Sequence, residues 1–117
     1  MNPLRIGILS TASIVPRFVN AAGTVEGCVV TAIASRNLEK AAEKARLWRI
    51  PQAFGSYEEL IASDLVDIVY IATINSEHAR YARLALEQGK HVFCEKPFAL
   101  KPAEVRDLFM LAREKGL

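Results

Sequence analysis

Short apolar runs alternate along the chain with amphipathic stretches, and the alternation predicts five strand–helix repeats. Leu4–Leu9 forms the first run and ends at Ser10-Thr11-Ala12-Ser13. A helix is then expected near Val15, with Pro16 in its first turn, where a missing N–H costs nothing. Ile14, Phe18, Val19 and Ala22 recur at helical spacing within it. Gly23 and Gly27 loosen the chain before a second strand, Val29–Ala34. Asn37 is suited to cap the following helix, whose apolar face reads Leu38, Ala41, Ala42, Ala45 and Trp48, and Pro51 stops it.

The second half follows the same rhythm. A weak strand at Ala53-Phe54 precedes Ser56-Tyr57-Glu58-Glu59, the pattern of a capping box opening a short helix. Val66–Ala72 is a nearly unbroken apolar run, as expected of a central parallel strand covered on both faces. Asn75 or Ser76 can cap a helix running through Leu86, with Gly89 at its C-terminal end. His91–Cys94 is a fifth strand, and Lys101-Pro102 opens a last helix with Val105, Leu108, Phe109 and Ala112 on one face. Gly116 closes it. Strand and helix in strict alternation imply a doubly wound parallel sheet with right-handed crossovers, three layers α/β/α. The strand order 3-2-1-4-5 places a ligand site beyond the carboxyl ends of the first and fourth strands.

Composition narrows the function without naming it. The 117 residues suit one domain spanning 1–117, and 51% hydrophobic with 24% charged residues describes a soluble globular chain. A formal charge of +2 gives no argument for nucleic acid or a membrane surface, and no apolar run is long enough to span one. Cys28 and Cys94 fit no metal-ligand spacing; both read as buried thiols in a reducing cytoplasm.

Unusual polar residues collect where strands end. After the first strand, a pyrophosphate would rest on backbone N–H groups and a helix N-terminus. The glycines of GxGxxG are replaced there by Ser10, Ala12 and Val15, while Ser10, Thr11 and Ser13 supply hydroxyl donors. After the second strand stand Ser35 and Arg36, with no acid before Glu39. A guanidinium pairs with a 2′-phosphate through charge-assisted hydrogen bonds, so NADP is favoured over NAD, against the bland reading of a solvated loop arginine. Thr73 to His78 follow the fourth strand; His78 alone reads as structural or solvent-facing. Glu95-Lys96-Pro97 follows the fifth, a positioned ammonium that partial burial would make available for proton transfer to a substrate oxygen, against the bland reading of an ordinary ion pair of Glu95.

Taken together, Arg5–Ala12, Ala34-Ser35-Arg36-Asn37, Phe54–Leu60, Asp67–Thr73, Asn75 with His78, and Glu95-Lys96-Pro97 resemble the N-terminal domain of the Gfo/Idh/MocA oxidoreductases. The resemblance implies a Rossmann domain binding NAD or NADP, followed in the family by an α/β domain with a large open sheet that is absent from this chain. It implies cofactor contacts at Ser10, Thr11, Ala12, Ser13, Ile14, Ser35, Arg36, Ala72, Thr73, Asn75, His78, Glu95 and Lys96. Lys96 takes the catalytic role near the nicotinamide and the reacting hydroxyl, with Glu95 and Pro97 fixing it and the Lys96–Pro97 bond a candidate for the cis form. Ile74 stands where the family usually has proline.

Two functions of different class follow. The first is the cofactor domain of a dehydrogenase that moves hydride between NAD(P) and a sugar, polyol or related small molecule. The second is a nucleotide-binding or scaffold module with no activity of its own. In either, Lys96 lacks the second catalytic group that the family's downstream domain provides. Homo-oligomerisation is a third expectation, since family members commonly pair through that domain's sheet.

Overall fold

The computed structural model describes residues 2–96 and 101–117. The elements run β1 (Leu4–Leu9), α1 (Val15–Ala22), β2 (Cys28–Ala34), α2 (Leu38–Trp48), β3 (Gln52–Phe54), α3 (Tyr57–Ala62), β4 (Ile68–Ile71), α4 (His78–Glu87), β5 (His91–Cys94) and α5 (Pro102–Lys115). The five strands form one sheet in the order β3-β2-β1-β4-β5, and every pairing is parallel. Alternate residues feed opposite faces. Ile6 and Ile8 of β1, Ile33 of β2 and Tyr70 of β4 pack with Val15, Ala22 and Ala45 of α1 and α2. Leu9, Ala34, Val69 and Ile71 pack on the other face with Leu60, Ile61, Tyr81, Ala85 and Leu108 of α3, α4 and α5. A period-two strand buried on both sides has no polar side to offer, which is why these runs read as continuously apolar.

Two local features shape the centre of the sheet. Gly7 lies under α3, where an added Cβ would stand 2.7 Å from Leu60 Cδ2 and 2.8 Å from Val66 Cγ2. Opposite it, the β1–β2 register shifts between Ile6 and Gly7, so that Ile6 pairs with Val30 but Gly7 with Ala32. The skipped residue, Thr31, donates its hydroxyl to the Leu65 carbonyl at 2.9 Å. A bulged residue thus serves the loop before β4.

Helix ends largely follow the sequence. Pro16 lies in the first turn of α1. The Asn37 side chain accepts from the Lys40 N–H at 3.1 Å, and the Ser56 hydroxyl accepts from the Glu59 N–H at 3.1 Å. Gly116 ends α5 at φ +71°, a conformation free of penalty for glycine.

Several expectations are corrected. Neither Asn75 nor Ser76 caps α4: residues Asn75–Glu77 form a 3-10 turn without a side-chain cap, and the α-helix begins at His78. Strand β4 is shorter than its apolar run, and just before it the Asp67 carboxylate takes the Arg5 N–H at 2.9 Å in place of a backbone carbonyl. Leu38 and Phe109 are largely exposed and leave their helices' apolar faces to Ala41, Ala45 and Leu108. The cysteines are free thiols, half-buried and not fully enclosed.

Candidate functional site

Each strand delivers its polar terminus to the same edge of the sheet. At the end of β1, Ser10 turns the chain at φ +107°, a region that L-residues rarely occupy. Its N–H donates to the Ala34 carbonyl at 2.9 Å, and its hydroxyl accepts from the Ala12 N–H at 3.0 Å. The turn therefore takes a glycine's backbone shape without the glycine. Helix α1 follows immediately with no side-chain cap; the Val15 N–H is taken by the Ala12 carbonyl at 3.0 Å and Pro16 has none, so the positive end of the helix dipole, and not a full set of N–H donors, faces this edge. Val15, at the third glycine position, is fully buried against the sheet. Ser13 is exposed and Ile14 half-buried.

At the end of β2 the buried Ser35 accepts from the Asn37 N–H at 3.2 Å, which holds the loop in a tight turn before α2. Arg36 projects outward, its side chain 68% exposed. Ser10, Thr11, Ala12, Ser35, Arg36, Asn37, Lys40 and Tyr57 line one cleft of about 480 Å³. The sequence reading singled out neither Lys40 nor Tyr57 as a site residue. Lys40 was within reach of it: a basic residue in the first turn of the helix after strand two, four positions beyond Arg36, points back toward the strand end. Burial pushes the Tyr57 phenol above its ordinary pKa, and the neighbouring Arg36 opposes that shift.

The loop after β4 touches this cleft's Arg36 through Glu77. Ala72 is buried, Ile74 is exposed, and Asn75 lies at the surface. His78 is buried, and its Nε2 lies 2.8 Å from the Thr73 carbonyl. A carbonyl oxygen only accepts, so Nε2 carries the proton and the ring ties the loop back on itself. The Thr73 hydroxyl oxygen and Glu77 Oε2 are buried without a hydrogen-bond partner among the described residues. Glu77 Oε1 lies 3.8 Å from Arg36 Nη1, so the β2 and β4 loops meet through opposite charges.

At the end of β5, the Tyr70 hydroxyl donates to Glu95 Oε1 at 2.5 Å. The Tyr70 ring is itself stacked on Phe18 of α1 at 3.8 Å between centroids and edge-on to Phe93. Burial, and next the Glu95 hydrogen bond, push the Tyr70 phenol above its ordinary pKa. Burial and then Glu95 push the Cys94 thiol up to about 12, which leaves it protonated and inert at neutral pH. Lys96 is exposed. The expectations for Pro97 and the Lys96–Pro97 bond lie outside the described residues.

The donors present fit a dinucleotide: an uncapped helix start after β1, two cations beside the β2 end, and an unpartnered hydroxyl at Thr73. A parallel sheet of this order with its polar loops gathered at the carboxyl edge defines a doubly wound, nucleotide-binding class of domain. The chain belongs to the Gfo/Idh/MocA family, described as an oxidoreductase family with an NAD-binding Rossmann fold, and matches it over residues 4–117. It is 42% identical over 110 residues to trans-1,2-dihydrobenzene-1,2-diol dehydrogenase of Xenopus laevis, covering 92% of this chain and 33% of that protein. It is 39% identical to the NADP(+)-dependent scyllo-inositol 2-dehydrogenase of Bacillus subtilis, covering 97% of this chain and 35% of that one. Among solved structures, a 3-ketoreductase from Actinomadura kijaniata in complex with NADP and TDP-benzene superimposes with a TM-score of 0.94 at 35% identity, over 99% of this chain and 36% of the other. The chain thus spans about a third of the length of the relatives it matches. Among the described residues, no helix is long and apolar enough to cross a membrane.

Proposed function

We propose that this domain binds NADP along the carboxyl edge of its sheet and supplies the lysine of a dehydrogenase or reductase site. The observation that carries the reading is the single cleft in which the Ser10–Ala12 turn meets Arg36 and Lys40. The turn and the start of α1 suit a pyrophosphate. Two cations where NAD-specific domains place a carboxylate suit a 2′-phosphate, with NAD the weaker ligand. Thr73 and Asn75 then lie along the cofactor, while buried His78 holds their loop in shape. The cofactor, when bound, supplies hydride chemistry. Lys96 holds or returns the proton at the substrate oxygen, and Glu95, fixed by Tyr70, positions it.

The substrate in this reading is a small hydroxyl or carbonyl compound. Free thiols at Cys28 and Cys94 fit a reducing cytoplasm. A second reading, a scaffold that binds no dinucleotide, draws on one observation: Ser10 Oγ already occupies the Ala12 N–H that a phosphate would use.

Titration of the chain with NADPH and NADH, followed by cofactor fluorescence, separates the two. Saturable NADPH binding that weakens about tenfold or more in Arg36→Ala, and by a smaller factor in Lys40→Ala, supports the cofactor site, since each removes a charged hydrogen bond. Absence of binding by either cofactor leaves the scaffold.

A further inference from the structure

Arg36 is not a free cation waiting for phosphate. Glu77, from the turn between β4 and α4, sets Oε1 3.8 Å from Arg36 Nη1, a residue that lines the cleft. The two partners are unequally placed: the Arg36 side chain is 68% exposed, whereas the Glu77 side chain is 21% exposed. The other Glu77 oxygen, Oε2, is buried with no hydrogen-bond partner among the described residues. A carboxylate in that position is not explained by the Arg36 contact alone, since half of its acceptor capacity is unused. Tyr57, which lines the same cleft, lies within electrostatic reach of both groups.

We propose that Glu77 sets the preference between phosphorylated and unphosphorylated dinucleotide, by competing with the 2′-phosphate for Arg36. This rests on the cofactor reading above. With a 2′-phosphate in the cleft, Arg36 must leave Glu77, and the carboxylate then repels the incoming dianion. With a 2′-hydroxyl, no dianion competes for Arg36 and the pair persists. Glu77 therefore does from the β4 side part of what an acid at the end of β2 does in NAD-specific domains. The chain should accordingly discriminate between the two cofactors less sharply than Arg36 and Lys40 alone would dictate.

The test compares wild type with Glu77→Gln, which keeps shape and removes charge, by NADPH and NADH titration at low and high salt. Expected are about fivefold tighter NADPH binding in the variant, with NADH binding unchanged or weaker. The NADPH gain should shrink as salt screens the partly exposed charges. Equal effects on both cofactors mark a packing role and overturn the proposal, as does NADPH binding no tighter than wild type. If NADPH binds neither protein, the cofactor reading falls and takes this proposal with it; if it binds both equally and Arg36→Ala still weakens it, only the role of Glu77 falls. A thermal melt of Glu77→Gln verifies that it folds.

Discussion

The Ser10 hydroxyl accepts the N–H of Ala12 at 3.0 Å while Ser10 itself sits at φ +107°. The side chain that strains the turn is thus also the one that stitches it. A non-glycine residue held there costs of order 1–3 kcal/mol, and the stitch returns about 1 kcal/mol. Ser10→Gly removes both terms, so urea unfolding should shift by less than about 1 kcal/mol. The same change frees the Ala12 N–H, and NADPH should bind several-fold more tightly. Ser10→Val keeps the strain and loses the stitch, with an expected loss of about 1 kcal/mol. A Ser10→Gly loss above that of Ser10→Val would mean that the hydrogen bond, and not the backbone angle, dominates the turn.

Gly7 supports a second prediction. A methyl group there would meet Leu60 Cδ2 at 2.7 Å and Val66 Cγ2 at 2.8 Å, and both partners are buried. Gly7→Ala should therefore destabilise the domain by about 1–3 kcal/mol through overpacking. Equilibrium unfolding in urea gives the number, and an unchanged midpoint would show that α3 slides freely on the sheet.

The third concerns the opposite end of the sheet, where Arg5 and Asp67 form a two-point ion pair at 2.9 and 3.1 Å. The Arg5 hydrogen bonds hold the Asp67 carboxyl down at about 2. A depressed carboxylate stabilises the fold above its ordinary pKa, and that contribution disappears as pH falls from about 4 through about 2. The side chains are 40% and 36% exposed, so solvent screening limits the contribution to about 1 kcal/mol. Asp67→Asn should lose that amount at pH 7 and be nearly matched to wild type near pH 2. Parallel unfolding curves at the two pH values are the check.

The fold was legible because its strands are buried on both faces, and a run such as Val66–Ala72 has no other economical use. Its edges were less so. Asp67 interrupts that run by binding Arg5, a contact 62 positions away that no local pattern announces. Asn75 looked like a cap, but His78 claims the Thr73 carbonyl and draws the segment into a 3-10 turn first. The site divides in the same way. Ser10, Ser35, Arg36 and Lys96 stand directly after strands, so topology alone brings them to one edge. Lys40, Tyr57 and Glu77 act through convergence of separate elements, and only Lys40 had a local signal in its distance from Arg36.

The stacking of Tyr70 on Phe18 ties together parts of the molecule far apart in sequence. Phe18 belongs to the helix that leaves the Ser10 turn, and Tyr70 grips Glu95 beside Lys96. The helix that starts at the phosphate-side turn thus packs directly on the strand residue that holds the far end of the edge. Loss of the Phe18 ring would therefore uncover the tyrosine that holds the lysine's neighbour.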